Sequence, residues 1–210
     1  TIQEAKVPGT TLMERAGTGV FTHLLVVWGA PKNKKVVILC GKGNNGGDGL
    51  VVARLLKKKG AKVKVVLMAP LKELSPDAKI MYRRLNRIIH PSLFTVNPSR
   101  DTLCSFLNDA DLLVDALLGT GLSSSVREPY ISAIEAINAS PAFTVAIDIP
   151  SGLDSDTGAT RGVAVQADLT VTFGNPKLGL FLGSAIDTVG TLKVVDIGIP
   201  LGFVTEMNPH

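Results

Sequence analysis

A chain of 210 residues, 45% hydrophobic and 19% charged, has enough apolar material for one full core and is neither disordered nor of low complexity. The net charge of +4 and the pI of about 9.1 suit an anionic ligand, whereas 5% aromatic residues without basic–aromatic interleaving argue against nucleic acid. Cys40 and Cys104 make no close pair, which excludes a disulfide framework and points to a reducing compartment, cytoplasmic or organellar. The apolar runs are too short to span a membrane. No signal peptide is recognisable, and a leader removed ahead of Thr1 is left open.

Residues 1–30 read as helical. Thr11-x-x-Glu14 is a capping box, followed by Leu12, Ala16, Val20 and Leu24 on one stripe. Val36-Val37-Ile38-Leu39 is a buried strand, and Leu50 to Lys59 is a helix stopped by Gly60. Between them lies Cys40-Gly41-Lys42-Gly43-Asn44-Asn45-Gly46-Gly47-Asp48-Gly49. A strand, a glycine-rich turn and a helix make an anion cradle, because N–H groups at the helix start face outward and small residues let a phosphate approach. Gly41-x-Gly43-x-x-Gly46 matches the dinucleotide fingerprint in form. However, the second strand, Lys62 to Met68, runs into Ala69-Pro70 without the carboxylate a nicotinamide dehydrogenase needs there. A P-loop fails too, since Gly47-Asp48 stands where Lys-Ser/Thr is required. The Lys57-Lys58-Lys59 run is a solvated helix end.

Ser75-Pro76-Asp77 starts a helix that runs to about Ile89, with Arg83, Arg84 and Arg87 on its wet face, and His90-Pro91 ends it. His23, His90 and His210 are scattered without metal-ligand spacing, so no zinc or iron site is expected. Four further apolar strands follow: Asp111–Asp115, Phe143–Asp148, Leu169–Phe173 and Leu192–Val195. Helical patterns at Ser99–Leu107 and Pro129–Asn138 lie between them. Strands alternating with helices predict an α/β fold with a parallel sheet covered on both faces. In such a sheet the ligand crevice lies beyond the carboxyl ends of the strands. Asn45, Asp115, Asp148, Ser151 and Lys177 all follow strand ends and should meet along that rim.

A strand-end aspartate often only caps the next turn, and Asp154, Asp156 and Asp168 are read that way. Two aspartates and a lysine converging beside a glycine cradle favour a site for Asp115, Asp148 and Lys177. Lys177 follows Pro176 in a Gly/Asn/Pro turn, a stiff mount for a proton donor. Asn45, Asp115 and Ser151 offer oxygen ligands only, with little charge, which suits a hard cation of low charge better than a transition metal. Serine-hydrolase chemistry finds little support, since Ile149-Pro150-Ser151-Gly152 lacks a leading glycine and a nearby histidine.

Three motifs carry a family resemblance: Gly41-Lys42-Gly43-Asn44-Asn45-Gly46-Gly47-Asp48-Gly49, Val114-Asp115-Ala116-Leu117-Leu118-Gly119-Thr120-Gly121, and Asp148-Ile149-Pro150-Ser151-Gly152-Leu153-Asp154. They resemble the signatures of the NAD(P)H-hydrate epimerase family (the YjeF N-terminal domain, which includes apolipoprotein A-I-binding protein). The likeness runs from Leu12-Met13-Glu14-Arg15-Ala16-Gly17 to Asp196-Ile197-Gly198-Ile199-Pro200. The resemblance implies a Rossmann-like three-layer αβα sandwich with a mostly parallel central sheet, forming a single domain over residues 1–210. It implies epimerisation of the R and S forms of hydrated NADH or NADPH at C6 of the nicotinamide ring, one potassium ion, and a homodimer. By motif, Asn45, Asp115 and Ser151 would bind potassium. Asn44, Asn45, Gly46, Gly47, Asp48, Gly119, Thr120, Gly121, Leu122, Ser123, Ser124, Ser125 and Asp148 would line the dinucleotide. Asp148 and Lys177 would be the acid/base pair. Many relatives place a basic residue earlier in the loop after Gly121 than Arg127 stands here. Related bacterial proteins often fuse this domain to an ATP- or ADP-dependent dehydratase, so the chain is read either as whole or as half of such a fusion. Two other readings stay open: a non-catalytic protein-binding module of the same family, and an NAD-dependent oxidoreductase.

Overall fold

The computed structural model describes residues 7–198. Strands whose residues are all buried need hydrogen-bonded neighbours on both edges and cover on both faces. β1 (Lys35–Cys40) is buried after its first residue, and β4 (Leu112–Ala116) throughout. These two lie side by side at the sheet's centre. Beyond β1 come β2 (Lys62–Leu67) and a short edge strand β3 (Phe94–Val96). Beyond β4 come β5 (Phe143–Ile147), β6 (Leu169–Phe173) and β7 (Thr191–Val195). The order is β3-β2-β1-β4-β5-β6-β7, and every pairing is parallel. Growth of the sheet reverses direction between β1 and β4, so the crevice of an open parallel sheet falls there.

Alternation along β1 sorts the two helical layers. Val36, Ile38 and Cys40 face one core with Val20, Leu24, Leu50, Leu56, Met81 and Leu85. These helical residues belong to α1 (Gly9–Val27), α2 (Asn44–Lys58) and α3 (Pro76–Asn86). Val37 and Leu39 face the other core, with Leu103 and Leu107 of α4 (Arg100–Asn108) and Ile134 and Ile137 of α5 (Tyr130–Ala139). Three layers result, as the resemblance implies.

The stripe Leu12, Ala16, Val20 and Leu24 is buried as expected. The capping box is not formed. α1 starts two residues before Thr11, and the Pro8 carbonyl accepts from the amides of Thr11 (2.9 Å) and Leu12 (3.2 Å). Glu14 is drawn instead into ion pairs with Arg54 and Arg84. α2 begins at Asn44 rather than Leu50, so most of the glycine segment is helix. Ser75 caps α3 by accepting from the Ala78 amide, and α3 ends at Asn86, short of Ile89. Neither β3 nor the four-residue α6 (Ala185–Thr188) is foreseen, because each is too short for a periodic signal. Asp168 ties strand starts together, accepting from the Thr144 amide at 2.7 Å. Ile199, Pro200 and His210 lie outside the described residues, as do 1–6 of the expected N-terminal helix.

Candidate functional site

The glycine segment brings the ends of β1 and β4 together. The Gly41 amide donates to the Ala116 carbonyl at 2.9 Å, and a Cβ at Gly41 would strike the Leu117 carbonyl. Gly46 packs against the backbone of Gly41, and Gly49 against Ala116 and Cys40. The start of α2 therefore sits directly on the strand ends, a closeness that side chains would forbid. The loop before it is pinned from α3's side: the Ser75 amide donates to the Lys42 carbonyl at 2.8 Å, and its hydroxyl to Asn44 Oδ1 at 2.8 Å.

Beneath this segment, three oxygen-bearing side chains from three strand ends are linked. Asp115 is fully buried. Its Oδ1 accepts from the Ser151 hydroxyl (2.6 Å) and the Leu117 amide (3.2 Å), and its Oδ2 from the Ser151 amide (2.8 Å). Burial pushes the Asp115 carboxyl up to about 6, and the hydrogen bonds from Ser151 and Leu117 pull against that rise. The Ser151 hydroxyl also accepts from the Leu118 amide at 2.8 Å. Asn45 Nδ2 donates to the Leu118 carbonyl at 3.0 Å, while Asn45 Oδ1 is buried with no hydrogen-bond partner among the described residues. A buried acceptor left unpaired is destabilising by roughly 1–3 kcal/mol, so this oxygen is suited to a cation or to a hydrogen-bond donor such as water. The donor set is all oxygen with a single carboxylate, which fits a monovalent hard cation and no transition metal.

A second group stands beside it. Asp148 directly follows β5 with φ of +68°, a left-handed backbone that aims its carboxylate across the strand end. Asp148 Oδ1 is ion-paired with Lys177 Nζ and accepts from the Thr172 hydroxyl at 3.1 Å. Lys177 Nζ also donates to Thr172 Oγ1 at 3.0 Å and to the Phe173 carbonyl at 3.2 Å. Both charged side chains keep a sliver of solvent contact, 16% for Asp148 and 21% for Lys177.

A cleft of about 470 Å³ opens over the β1/β4 switch point, large enough for much of a small ligand. Asn44, Asn45, Asp48, Thr120, Tyr130 and Asp148 are among its walls. Asp48 is 9% exposed, and burial holds its carboxyl well above the usual carboxylate range; Asp148 pushes the same way and Lys177 opposes. Burial likewise pushes the Cys40 thiol far up, with Asp115 and Asp48 adding to it, so Cys40 is inert packing.

Over residues 9–179 the sequence matches the family described as YjeF-related protein N-terminus. The chain belongs to this family. A bifunctional NAD(P)H-hydrate repair enzyme Nnr from Salinibacter ruber is 47% identical over 208 residues, covering 95% of this chain and 38% of the relative. An NAD(P)H-hydrate epimerase from Rhodopirellula baltica is 38% identical over 207 residues, covering 99% of this chain and 82% of the relative. The crystal structure of a yeast protein superposes with a TM-score of 0.78 at 26% identity, covering 95% of this chain and 84% of that one. The chain thus spans about two-fifths of the length of the bifunctional relatives and most of the stand-alone one.

Of the residues that the YjeF-type motifs single out, Asn44, Asn45, Asp48, Gly119, Thr120, Gly121, Leu122 and Asp148 line the cleft. Gly46 and Gly47 do not; they are buried, with Gly47 against Met13. Ser123, Ser124 and Ser125 are exposed on the loop beyond Leu122 and are not part of the lining. Lys42, Leu117, Leu118 and Tyr130 line the cleft without having been singled out. A lysine inside a glycine-rich loop is a signal for Lys42; a tyrosine opening an apolar helix carries none. Thr172, which bonds both Asp148 and Lys177, announces itself only as a hydroxyl at a fully buried strand position.

Proposed function

We propose that this chain epimerises the R and S forms of hydrated NADH or NADPH at C6 of the nicotinamide ring, a repair step for damaged cofactor, through acid/base catalysis. The observation that carries this is the Asp148–Lys177 pair beside the glycine-rich start of α2, at one crevice. The amide groups of that helix start, with Lys42, suit the pyrophosphate, and the walls from Gly119 to Leu122 and Tyr130 suit the remainder of the dinucleotide. The damaged ring carries a hydroxyl on C6, beside the ring nitrogen. Protonating that hydroxyl lets it leave as water while the nitrogen lone pair forms an iminium, and water then returns to the other face as a base takes its proton. Acid/base assistance of this kind is worth about 10²–10⁴-fold.

Asn45, Asp115 and Ser151 are the residues we assign to a potassium ion, supported by the unpaired Asn45 oxygen and the all-oxygen donor set. When bound, potassium supplies a fixed positive charge next to the buried Asp115 carboxylate. The chain's own residues do the rest: Asp115 fixes the Ser151 loop against the β4 end, and that loop begins at Asp148, directly after β5. We further infer one epimerase domain over the chain and a homodimer in solution, which sedimentation checks.

A non-catalytic scaffold of the same fold would have no use for an Asp148–Lys177–Thr172 triangle at the crevice. An NAD-dependent oxidoreductase needs a carboxylate where β2 runs into Met68 and Ala69. Incubating the chain with separated epimers distinguishes all three: interconversion is expected, and reduction of added carbonyls by NADH is not.

A further inference from the structure

Epimerisation through a planar iminium needs proton transfer on both faces of the ring: the hydroxyl departs from one and water arrives at the other. Asp148 and Lys177 cannot serve both. They are bonded to each other and share Thr172, so they form one locus above β5 and β6. The cleft holds another ionisable side chain, Asp48, which reaches it from α2 on the β1 side. Among the described residues nothing hydrogen-bonds or ion-pairs with its carboxyl. Asp48 is the fifth residue of α2, beyond the first turn, so the helix dipole does not account for it. A buried carboxyl without partners is also destabilising when ionised. Folding therefore gives this aspartate no reason to be there.

We propose that Asp48 is the proton-transfer group for the ring face that the Asp148–Lys177 pair does not reach. The inference rests on the epimerase reading. For the epimer whose hydroxyl lies on the Asp48 side, Asp48 gives its proton to that oxygen. The C6–O bond breaks with both electrons going to oxygen, which departs as water, and the ring nitrogen lone pair forms the C=N bond. A water on the far face adds an oxygen lone pair to C6, the C=N electrons return to nitrogen, and Asp148 takes the proton released. The opposite epimer runs the same steps backwards. Burial raises the Asp48 carboxyl, Asp148 adds to the rise and Lys177 opposes it, which is the direction a proton donor needs.

The test uses Asp48→Asn, close in shape, in heavy-oxygen water with each separated epimer, scoring inversion and label uptake in the same sample. Wild type inverts and labels both epimers. Asp48→Asn should invert about 100-fold more slowly, while one epimer alone still takes up label with retention at a rate within about threefold of wild type, served by Asp148 and Lys177. Its melting temperature should be at or above that of wild type. If Asp48→Asn melts well below wild type, Asp48→Ser must show the same split. Inversion near the wild-type rate, or inversion and label uptake falling together in both epimers, would overturn the inference while leaving the epimerase reading intact. A wild-type chain that inverts neither epimer would overturn both.

Discussion

Asp148 and Lys177 are the residues to which we assign the acid/base chemistry, and the two are ion-paired with each other. Replacing Asp148 with Asn or Lys177 with Ala should lower epimerisation by about 10²–10⁴-fold, read as loss of epimer exchange at a temperature where each variant is still folded. Asp154 does a different kind of work nearby. It accepts from the amides of Asp156 and Thr157 and from the Thr157 hydroxyl, and pairs with Arg161. The Thr157 amide foremost, then Arg161, holds its carboxyl below the usual range. A depressed acid contributes stability that is present above the unfolded-state value, near 4, and lost as pH falls through the folded one. Asp154→Asn should therefore unfold at lower urea than wild type at pH 7, and the gap should close as pH is taken below about 4. Reading Asp154 as a turn cap was thus half the story, because Arg161 lies seven residues away and a local pattern does not reveal their pairing. The meeting of Asn45, Asp115 and Ser151 at one rim is legible because Asn45 and Ser151 follow strands and Asp115 lies next to the end of β4. Thr172 and Tyr130 are not, since threonine in a strand and tyrosine in a helix are ordinary.

At the scale of elements, α2 is the decisive one, and its start is where residue pattern and structure part. Glycines are poor helix formers, so Asn44–Gly49 looks like a turn. Contact with Gly41, Ala116 and Met13 makes it helix, because only glycine lets α2 press that closely on the strand ends. Two substitutions separate packing from propensity. Gly46→Ala places a methyl on the Gly41 carbonyl, so urea unfolding should show a loss of about 1–3 kcal/mol in place of the gain of about 1 kcal/mol that alanine gives in a free helix. Gly43→Ala, at φ −81° with nothing within 4 Å of the added carbon, should change stability by less than about 0.5 kcal/mol. The strands are legible from their apolar runs. The edge strand β3 is not, because three half-buried or exposed residues leave no pattern.

For the whole molecule, a parallel sheet that reverses direction between β1 and β4 brings residues from 42 to 148 into one crevice, with Lys177 paired alongside. Alternating strands and helices make the layers legible, but strand order is a long-range property that no local run encodes. The same convergence brings Asn45, Asp115 and Ser151 together, the cation site we propose. The melting temperature should climb with potassium concentration and stay flat in a large organic cation, and Asp115→Asn should abolish the climb. Among the described residues no helix is long and apolar enough to cross a membrane. The most direct test of epimerase function is to add the chain to mixed epimers of hydrated NADH together with a dehydratase that consumes only the S form. The R form should drain away faster than it does spontaneously; an R form that persists at its spontaneous rate while S is exhausted would contradict epimerase function.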